Sequence, residues 1–494
     1  MRQYGGALES GRKRSRSRRG SHLSKERIHE FLSRSEIKNI HQASLEVLSE
    51  TGVKITHPEI CRLLLEAGAK EGNNSILLFP PDLIETSLQK APRSISFMDM
   101  KGNRVEVKPG ATPLFWTGNA MYYLRGSERR ELTRELYTEF CQVANHLPHL
   151  HAIVGTNISD NPPSARDFVG FRAMAEYTQK HLRPVIFTPK GIEAILEMAD
   201  VLLEGRSLKD HPIFSLGFTC VSPLRWSDSA LEVFRVSSGY GIPLMINSEV
   251  ISGATGPVTL AGSLVLANAE ALSGVAIAQL LEPGRPVVFN LGFSHTFDMK
   301  VAETLTGAPE GGLLGAAGSA IAHFHHLPSA SWMSTESKIP DAQAAYEKTL
   351  LGLLHGLGGV NLIWGIGNLE STLSLCPEQA IMDNEIAAGI LRAFKGIEID
   401  EERMALPLIK EMGQKGDYLQ SEHTFRYFKG ELRLTDLLSR ERWTVWEMAG
   451  KKELIETAKD RVKMFLNATP SEHLSGSQKE KLERIEKKAL EKIT

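Results

Sequence analysis

The sequence is poor in cysteine, and the arrangement of the few that occur excludes two classes of protein. The 494 residues include only four cysteines, which are scattered and form no CxxC pair: Cys61, Cys141, Cys220 and Cys376. Such spacing is typical of reduced intracellular thiols, and it argues against a disulfide framework or a structural zinc site. We therefore predict a cytoplasmic location.

Long apolar runs and net charge are also lacking. No apolar run reaches the roughly 18 residues that would make a membrane span, and the most apolar stretch, residues 257–282, includes Glu270. The formal net charge of −2 excludes a generally basic protein that binds nucleic acid. One basic block, SGRKRSRSRRG at residues 10–20, is predicted to belong to a disordered tail of residues 1–20, and the alternative is a nuclear or nucleic-acid-binding arm. Neither a membrane nor a nucleic acid is an expected partner.

A regular alternation of short apolar runs and longer helical patterns begins near residue 113. Eight such repeats are typical of a (β/α)₈ barrel, an α/β fold. The predicted strands are 113–119, 151–157, 183–189, 212–219, 242–248, 286–292, 330–336 and 361–368. The predicted helices are 133–146, 165–180, 190–204, 227–240, 257–281, 311–326, 341–358 and 378–395.

The remaining parts of the chain predict additions to this barrel. Residues 21–112 mix helical patterns at 36–51 and 57–67 with short strand-like pieces, which indicates an N-terminal α+β cap. The barrel is expected to occupy residues 113–400. Residues 401–494 are expected to form a C-terminal helical extension.

Polar side chains cluster where the predicted strands end. The carboxyl ends of the strands form the active face of (β/α)₈ barrels, so these side chains are candidates for a site. The polar burst from Ser334 to Asp341 is the most concentrated, with Pro340 and Asp341 predicted to begin the next helix. We predict Glu249, Glu336 and Lys338 as catalytic residues. Polar candidates for substrate binding are Asn119, Asn247, Thr335 and Asn368.

Aromatic residues occur near the same strand ends. Several ring faces around one point would attract a quaternary ammonium cation without a proton donor, although most aromatic residues on barrel strands are core. The four candidates are Trp116, Phe293, Trp332 and Trp364.

The loop SGATGPVTLAG, residues 252–262, precedes the longest apolar helix pattern. Glycines allow close backbone approach and a helix N-terminus favours negative charge, so Gly253 and Thr255 are candidates for contact with a carboxylate or phosphate. The alternative is a simple tight turn before Pro257. The loop matches neither a P-loop nor a GxGxxG fingerprint.

The histidine cluster HFHH contains His323, His325 and His326. It lies between the sixth predicted helix and the seventh strand, which places it at the amino end of the barrel, opposite the predicted site. We expect no metal bound directly by the protein. The sequence also lacks a GxSxG nucleophile elbow.

Three stretches resemble the trimethylamine:corrinoid methyltransferase family: ATGPVTLAG (254–262), LANAEALSG (266–274) and SKIPDAQAAYEK (337–348). The similarity extends over nearly the whole chain, including SLEVLSETGVKI (44–55). The resemblance implies a TIM barrel that transfers methyl groups to a corrinoid. The cobalamin or corrinoid would be carried by a separate cognate corrinoid-binding protein.

Founding members of that family carry pyrrolysine and demethylate trimethylamine, whereas this sequence contains only standard residues. It therefore resembles the branch without pyrrolysine, and the replaced position is expected within residues 334–341. This branch implies a quaternary amine substrate such as glycine betaine, proline betaine, carnitine or γ-butyrobetaine.

Other interpretations of the sequence remain open. The barrel could act on trimethylamine itself, bind betaines without chemistry, or be a metal-dependent hydrolase. Self-association into a homo-oligomer is possible for any of them.

Overall fold

The structure, a computed structural model, describes residues 28–414, 416–435, 437–468 and 472–493. Eight parallel strands form its centre: β1 Leu114–Thr117, β2 Leu150–Val154, β3 His181–Arg183, β4 Leu216–Cys220, β5 Leu244–Ser248, β6 Val287–Gly292, β7 Ser329–Trp332 and β8 Leu362–Ile366. Their order is β3-β2-β1-β8-β7-β6-β5-β4. A parallel bridge between Leu182 and Phe214 joins β3 to the segment before β4 and closes the cylinder. The prediction of a (β/α)₈ barrel is confirmed.

One helix returns after each strand: α1 Arg134–Asn145, α2 Arg166–Tyr177, α3 Pro189–Leu203, α4 Asp228–Val236, α5 Leu260–Leu281, α6 Pro309–Phe324, α7 Ala342–Leu357 and α8 Pro377–Lys395. Local sequence explains several of these starts. Thr133, Thr188, Ser227 and Asp341 cap α1, α3, α4 and α7 by accepting a backbone N–H of the first turn. Proline opens α3, α6 and α8, where its missing N–H costs nothing.

The third strand is shorter than predicted and lies earlier in the chain. The sequence predicted residues 183–189, but β3 is His181–Arg183. Pro184 has no N–H to donate to the ladder, so the strand ends at the residue before it. Arg183 is consequently the last residue of the strand, and its side chain points into the barrel. The seventh strand also ends early, at Trp332, which leaves Thr335 and Glu336 in the following loop.

The segment before the barrel is α+β. Its helices are Arg34–Glu46, a π-helical turn Val47–Thr51, Pro58–Glu66 and Pro81–Lys90, and its first strands are Val53–Lys54, Lys70–Glu71 and Ile76–Leu78. A hairpin of Ile95–Met98 and Arg104–Val107 follows. Met98 N–H donates to Pro212 and Met100 N–H donates to Gln179, both just before a barrel strand, so the hairpin closes the amino end of the barrel. The predicted tail at residues 1–20 lies outside the described residues.

Small sheets and further helices complete the chain. Ile251–Ser252, His295–Asp298 and Glu303–Leu305 form one sheet at the carboxyl end, and Tyr122–Arg125, Glu128–Glu131, Asn368–Leu369 and Ser374–Leu375 form another. The helices after the barrel are Glu401–Met404, Leu406–Met412, Glu422–Glu431, Trp443–Met448, Leu454–Asn467 and Gly476–Glu491.

Helix α5 is the one helix among the described residues that is long and apolar enough to cross a membrane. It is largely buried, because it packs against β5, β6 and the helices Arg34–Glu46 and Pro81–Lys90. It is therefore a core helix of the barrel wall, which explains its near-continuous apolar sequence.

Candidate functional site

Aromatic rings line the barrel interior in an unbroken series from its amino end to its carboxyl rim. Successive ring centroids are 5.3, 5.4, 5.3, 4.4 and 5.2 Å apart along Phe97, Trp116, Trp364, Phe293, Trp332 and His295. Trp116 contacts the hairpin that closes the amino end, so it lies deep in the barrel. Phe293 and Trp332 lie toward the rim. The structure thus brings together all four aromatic residues that the sequence singled out.

Glu249 lies at the rim beside this series. Its Oε1 is 3.4 Å from Nε2 of His295, a distance within ion-pair range but outside good hydrogen-bond geometry. His295 stacks on Trp332 and is buried, whereas Glu249 is partly exposed. A carboxylate at an aromatic mouth attracts cations from solvent.

Asn247 lies inside the barrel at the end of β5. Its Oδ1 accepts a hydrogen bond of 2.8 Å from Nδ2 of Asn290, whose own Oδ1 accepts from the Gly292 N–H at 3.0 Å. Both asparagines are buried. These contacts fix the orientation of two amide groups close to the strand ends that carry the aromatic residues.

Glu336 points toward the loop that precedes α6. Its Oε1 accepts from the backbone N–H and Oγ1 of Thr306 at 2.6 and 2.9 Å, and the Gly307 N–H is 3.0 Å from each carboxylate oxygen. A Cβ at position 307 would lie 2.7 Å from Oε2 of Glu336, so glycine allows this approach. The carboxylate therefore holds two barrel loops together.

The other two polar candidates of the same loop also make local contacts. Thr335 is buried and donates its hydroxyl to Glu347 of α7. Lys338 is exposed, and its Nζ donates to the backbone carbonyl of Glu336 at 2.7 Å. Both hydrogen bonds are local to this loop and α7.

The loop at residues 252–256 forms a closed turn. The N–H groups of Ala254, Thr255 and Gly256 all donate to the carbonyl of Ile251, and the Gly253 N–H donates to Gly256. Thr255 Oγ1 accepts from the Ile251 N–H at 2.9 Å. The backbone N–H groups that were predicted to bind a carboxylate or phosphate thus donate within the turn itself. Helix α5 begins only at Leu260.

Asn119 and Asn368 meet at the rim above β1. Asn368 Nδ2 donates to the carbonyl of Asn119 at 2.8 Å, and its Oδ1 is buried without a partner among the described residues. A Cβ at Gly118 would overlap Asn368, so this glycine makes room for the amide. Asn119 itself is exposed.

Arg183 is a buried residue of the barrel interior that sequence reasoning missed. Its guanidinium carbon lies 5.5 Å from the centre of the Trp364 ring, and its Nη2 donates to the Gly217 carbonyl at 3.0 Å. Nη1 donates to the Pro184 carbonyl. Burial lowers the pKa of Arg183 to about 9, so the group remains a cation at neutral pH. The available signal was that His181 and Arg183, two residues apart, lie on the same face of a strand. The predicted strand began only at residue 183, so this pairing was not considered.

A buried ion pair supports the strand that carries Trp364. Lys348 Nζ lies 2.5 Å from Oδ2 of Asp383 and donates to the Gly365 carbonyl at 2.8 Å. The same carboxylate oxygen accepts from the Gly367 N–H at 2.7 Å. The pair therefore fixes the backbone on both sides of the irregular end of β8, between Trp364 and Asn368.

Glu270 has a comparable supporting role beneath β5. It is buried on α5 and accepts hydrogen bonds from Ser222 Oγ at 2.8 Å, Ser248 Oγ at 2.6 Å and the Leu224 N–H at 2.9 Å. Burial raises its pKa. Since Ser248 precedes Glu249, this network fixes the chain where it reaches the rim.

A cavity of about 610 Å³ lies away from this interior, between α8 and residues 429–435 with Leu437. His146 and His149, which precede β2, form part of its wall, so the cavity is at the amino end of the barrel. Two of its cations are already paired, Arg433 with Glu385 and Arg392 with Glu431. The cavity is therefore at the opposite end of the barrel from the rim, and these two cations are not free to bind a ligand.

Within the described ranges, no group of three His, Cys, Asp or Glu side chains is arranged to hold a metal ion. His325 is buried against His41 and Phe289, and burial lowers its pKa to about 3. His323 contacts Asn361 at 3.0 Å. The HFHH cluster thus packs at the amino end of the barrel.

The fold and its interior define a (β/α)₈-barrel protein with a ring-lined centre and a carboxylate at the rim. The profile of the family "Trimethylamine methyltransferase (MTTB)" matches residues 5–492. The chain belongs to this family, and it is a methyltransferase.

Individual relatives agree with this assignment. The chain is 32% identical to trimethylamine methyltransferase MttB of Desulfitobacterium hafniense (strain DSM 10664 / DCB-2) over 454 residues, 89% of this chain and 90% of the relative. It is 28% identical to a glycine betaine methyltransferase of D. hafniense (strain Y51), over 86% and 89% of the two chains. The crystal structure of Methanosarcina barkeri monomethylamine methyltransferase (MtmB) has a similar fold, with a TM-score of 0.52, 13% identity, and coverage of 94% and 88%.

Proposed function

We propose that the protein transfers a methyl group from a quaternary amine, such as glycine betaine, to Co(I) of a corrinoid carried by a separate protein. The observation that carries the proposal is the ring series of the barrel interior, which ends at His295 beside Glu249. Aromatic faces and one carboxylate are suited to a permanent cation, because they attract it without donating a proton. The similarity to a glycine betaine methyltransferase supports the same class of substrate.

The charge on the substrate explains why the site needs no acid. A quaternary nitrogen is already positive, so it can leave with the bonding electron pair as a neutral tertiary amine while the methyl carbon bonds to the nucleophile. The corrinoid supplies that nucleophile, Co(I). The chain's own task is to orient the substrate with one methyl group toward the rim and to exclude water from the nitrogen.

The residues of the barrel divide this task. Glu249 attracts the cation to the mouth of the barrel, and Phe293 and Trp332 hold it there. The hydrogen bond between Asn247 and Asn290 fixes the barrel wall beside the cation. Glu336 and Lys338 act as positioning residues, since their groups are engaged within the loops. The corrinoid protein would dock over the carboxyl rim, where the methyl group is presented.

Trimethylamine is the second candidate substrate, because the 32% identical relative is named for it. A panel assay separates the two: purified protein, reduced cobalamin, and trimethylamine, tetramethylammonium or a betaine in turn. We expect the absorbance change of methylcobalamin formation with at least one betaine and none with trimethylamine. Turnover of trimethylamine alone would reverse the assignment.

The cysteines and the C-terminal surface support two further parts of the proposal. All four cysteines are free, which supports a cytoplasmic location. Among the described residues between Ile397 and Met448, fourteen large apolar side chains are exposed, including Leu419 at 79%, Phe425 at 81% and Met448 at 89%. Monomeric proteins rarely expose apolar patches of more than a few hundred Å².

We propose that this C-terminal surface, residues 397–448, binds a second copy of the chain. Residues 430–435 adjoin the segment before β2, so the surface extends from the amino end of the barrel, away from the rim where the corrinoid partner must dock. The interfaces of obligate dimers bury roughly 2,000 Å² or more and are rich in apolar side chains, as this segment is.

A further inference from the structure

Arg183 is a charged group inside the barrel that has no counter-ion among the described residues. The side chain is 5% exposed, and burial alone accounts for its lowered pKa. In the part of the chain that the structure describes, no carboxylate forms an ion pair with it, and its Nε is buried without an acceptor. An uncompensated buried charge is costly, so its presence requires an explanation.

Arg285 shows what a structural arginine looks like in the same barrel. It is also buried, but its three nitrogens donate to the carbonyls of Ile242 and Phe234 and to Ser237 Oγ, at 3.2, 3.1 and 2.9 Å. Glu282 lies 3.6 Å from its Nε. Arg183 has two carbonyl acceptors, no carboxylate and one orphaned donor. The contrast indicates that the partner of Arg183 is not among the described residues of the chain.

The surroundings of Arg183 favour an acceptor-rich ligand. The indole Nε1–H groups of Trp116 and Trp364 are also buried without acceptors among the described residues. Trp364 contacts both Trp116 and Arg183. A carboxylate offers two oxygens and no donor, which complements three orphaned donors.

The neighbouring glycine makes the position of the guanidinium possible. A Cβ at position 217 would lie 2.6 Å from Nη2 of Arg183. A larger residue at position 217 would therefore force the guanidinium to shift. The chain thus combines a charged side chain with the small residue that accommodates it.

We propose that Arg183 binds the carboxylate of a zwitterionic quaternary amine, with Trp364 and Trp116 lining this deep end of the site. The inference rests on the function proposed above and specifies the orientation of the substrate. Arg183 and Trp364 lie deeper than His295 and Glu249, so the carboxylate points inward and the ammonium group faces the rim. That orientation presents a methyl group to the partner, and it assigns selection of betaines over simple amines to Arg183 rather than to the turn at residues 252–256.

Three probes that differ in charge test the proposal by calorimetric binding without a corrinoid. Glycine betaine carries both charges, tetramethylammonium only the cation, and 3,3-dimethylbutyrate only the carboxylate. We expect Arg183→Met to weaken binding of glycine betaine and 3,3-dimethylbutyrate roughly 10- to 100-fold and to leave binding of tetramethylammonium unchanged or stronger, because a neighbouring positive charge is removed. Arg183→Lys keeps the positive charge but cannot form two parallel hydrogen bonds to a carboxylate, so its loss of affinity for the two carboxylate probes should be intermediate.

Stability controls distinguish a binding role from a structural one. Arg183→Met removes an uncompensated charge, so the thermal midpoint of the free protein should be unchanged or higher. Arg285→Met should lower that midpoint without changing the relative affinities of the three probes.

The outcomes separate this inference from the proposed function. Binding of 3,3-dimethylbutyrate that depends on Arg183, without binding of either ammonium probe, would support the carboxylate site and contradict the quaternary amine function. Equal losses for all three probes in Arg183→Met, unchanged binding of both carboxylates, or no binding of any probe by the wild type would overturn the inference.

Discussion

Lys348 and Asp383 form an ion pair that is wholly buried, with Nζ 2.5 Å from Oδ2. The pair lies between α7, α8 and the end of β8, and it also holds the Gly365 carbonyl and the Gly367 N–H. Burial lowers the pKa of Lys348 and raises that of Asp383, and each partner opposes the shift of the other. Removing one partner therefore leaves the other charge in an apolar environment.

We predict that Lys348→Met lowers the free energy of unfolding by about 3 to 5 kcal/mol, because Asp383 would remain buried and unpaired. The double variant Lys348→Met/Asp383→Leu should recover part of this loss. Urea unfolding of both variants measures the difference. Arg62→Met, which breaks the exposed pair with Glu66, is the control and should cost less than about 1 kcal/mol. If Lys348→Met and Arg62→Met lowered the free energy of unfolding by similar amounts, burial of the Lys348–Asp383 pair would not be the source of the loss.

Asp167 predicts a pH dependence of stability. Burial raises its pKa from 3.8 to about 6, although its Oδ2 accepts from the N–H groups of Phe187 and Thr188 at 3.1 and 3.2 Å. Between pH 4 and 6 the folded state binds more protons at this site than the unfolded state. This proton binding therefore contributes fully to the free energy of unfolding below about pH 4, and the contribution is lost as the pH rises through 6.

Asp167→Asn should remove this dependence, because the amide oxygen can accept the same hydrogen bonds without a charge. We predict that the variant gains up to about 3 kcal/mol over the wild type between pH 4 and pH 7. Urea unfolding at several pH values measures the gain, with the exposed Asp200→Asn as control. A difference between wild type and Asp167→Asn that does not change with pH would show that Asp167 is not the source.

The aromatic residues at the rim give a prediction for affinity. Trp332→Leu should weaken binding of tetramethylammonium or glycine betaine by about 1 to 2 kcal/mol, a 5- to 30-fold loss by calorimetry. Phe289→Leu is a matched control, since Phe289 lies on β6 but packs outward against His325. It should lower stability and leave affinity unchanged. Equal affinity of Trp332→Leu and the wild type would make Trp332 a core residue.

The sequence predicted the barrel well because strand and helix periods differ and because caps and prolines mark several helix starts. It also singled out four aromatic residues that the structure brings together, although Trp116 and Trp364 lie deeper than the rim, and their role in substrate binding stays a prediction. The engagement of Glu336 by Thr306 and Gly307 could not be predicted, because it depends on two loops that meet only in the folded chain. His295 was missed because it lies in a short hairpin outside the eight barrel repeats, and Arg183 was missed because the strand boundary was misplaced.

The C-terminal surface predicts self-association. Leu419→Glu/Phe425→Glu should convert an oligomer to a monomer, because each change places a charge in an apolar interface. Light scattering after gel filtration measures the mass. Leu65→Glu, on the exposed side of the helix Pro58–Glu66, is the control and should not alter it. A monomeric wild type at micromolar concentration would contradict the second-copy assignment.

The most direct test of the account follows a labelled methyl group from nitrogen to cobalt. Purified protein is mixed with glycine betaine that carries deuterated N-methyl groups and with reduced cobalamin, and both products are quantified by mass spectrometry. We predict trideuteromethyl-cobalamin and the demethylated amine in equal amounts, with a reduced rate in Trp332→Leu. Demethylated amine without labelled cobalamin, or no turnover with any betaine, would contradict the proposed methyl transfer.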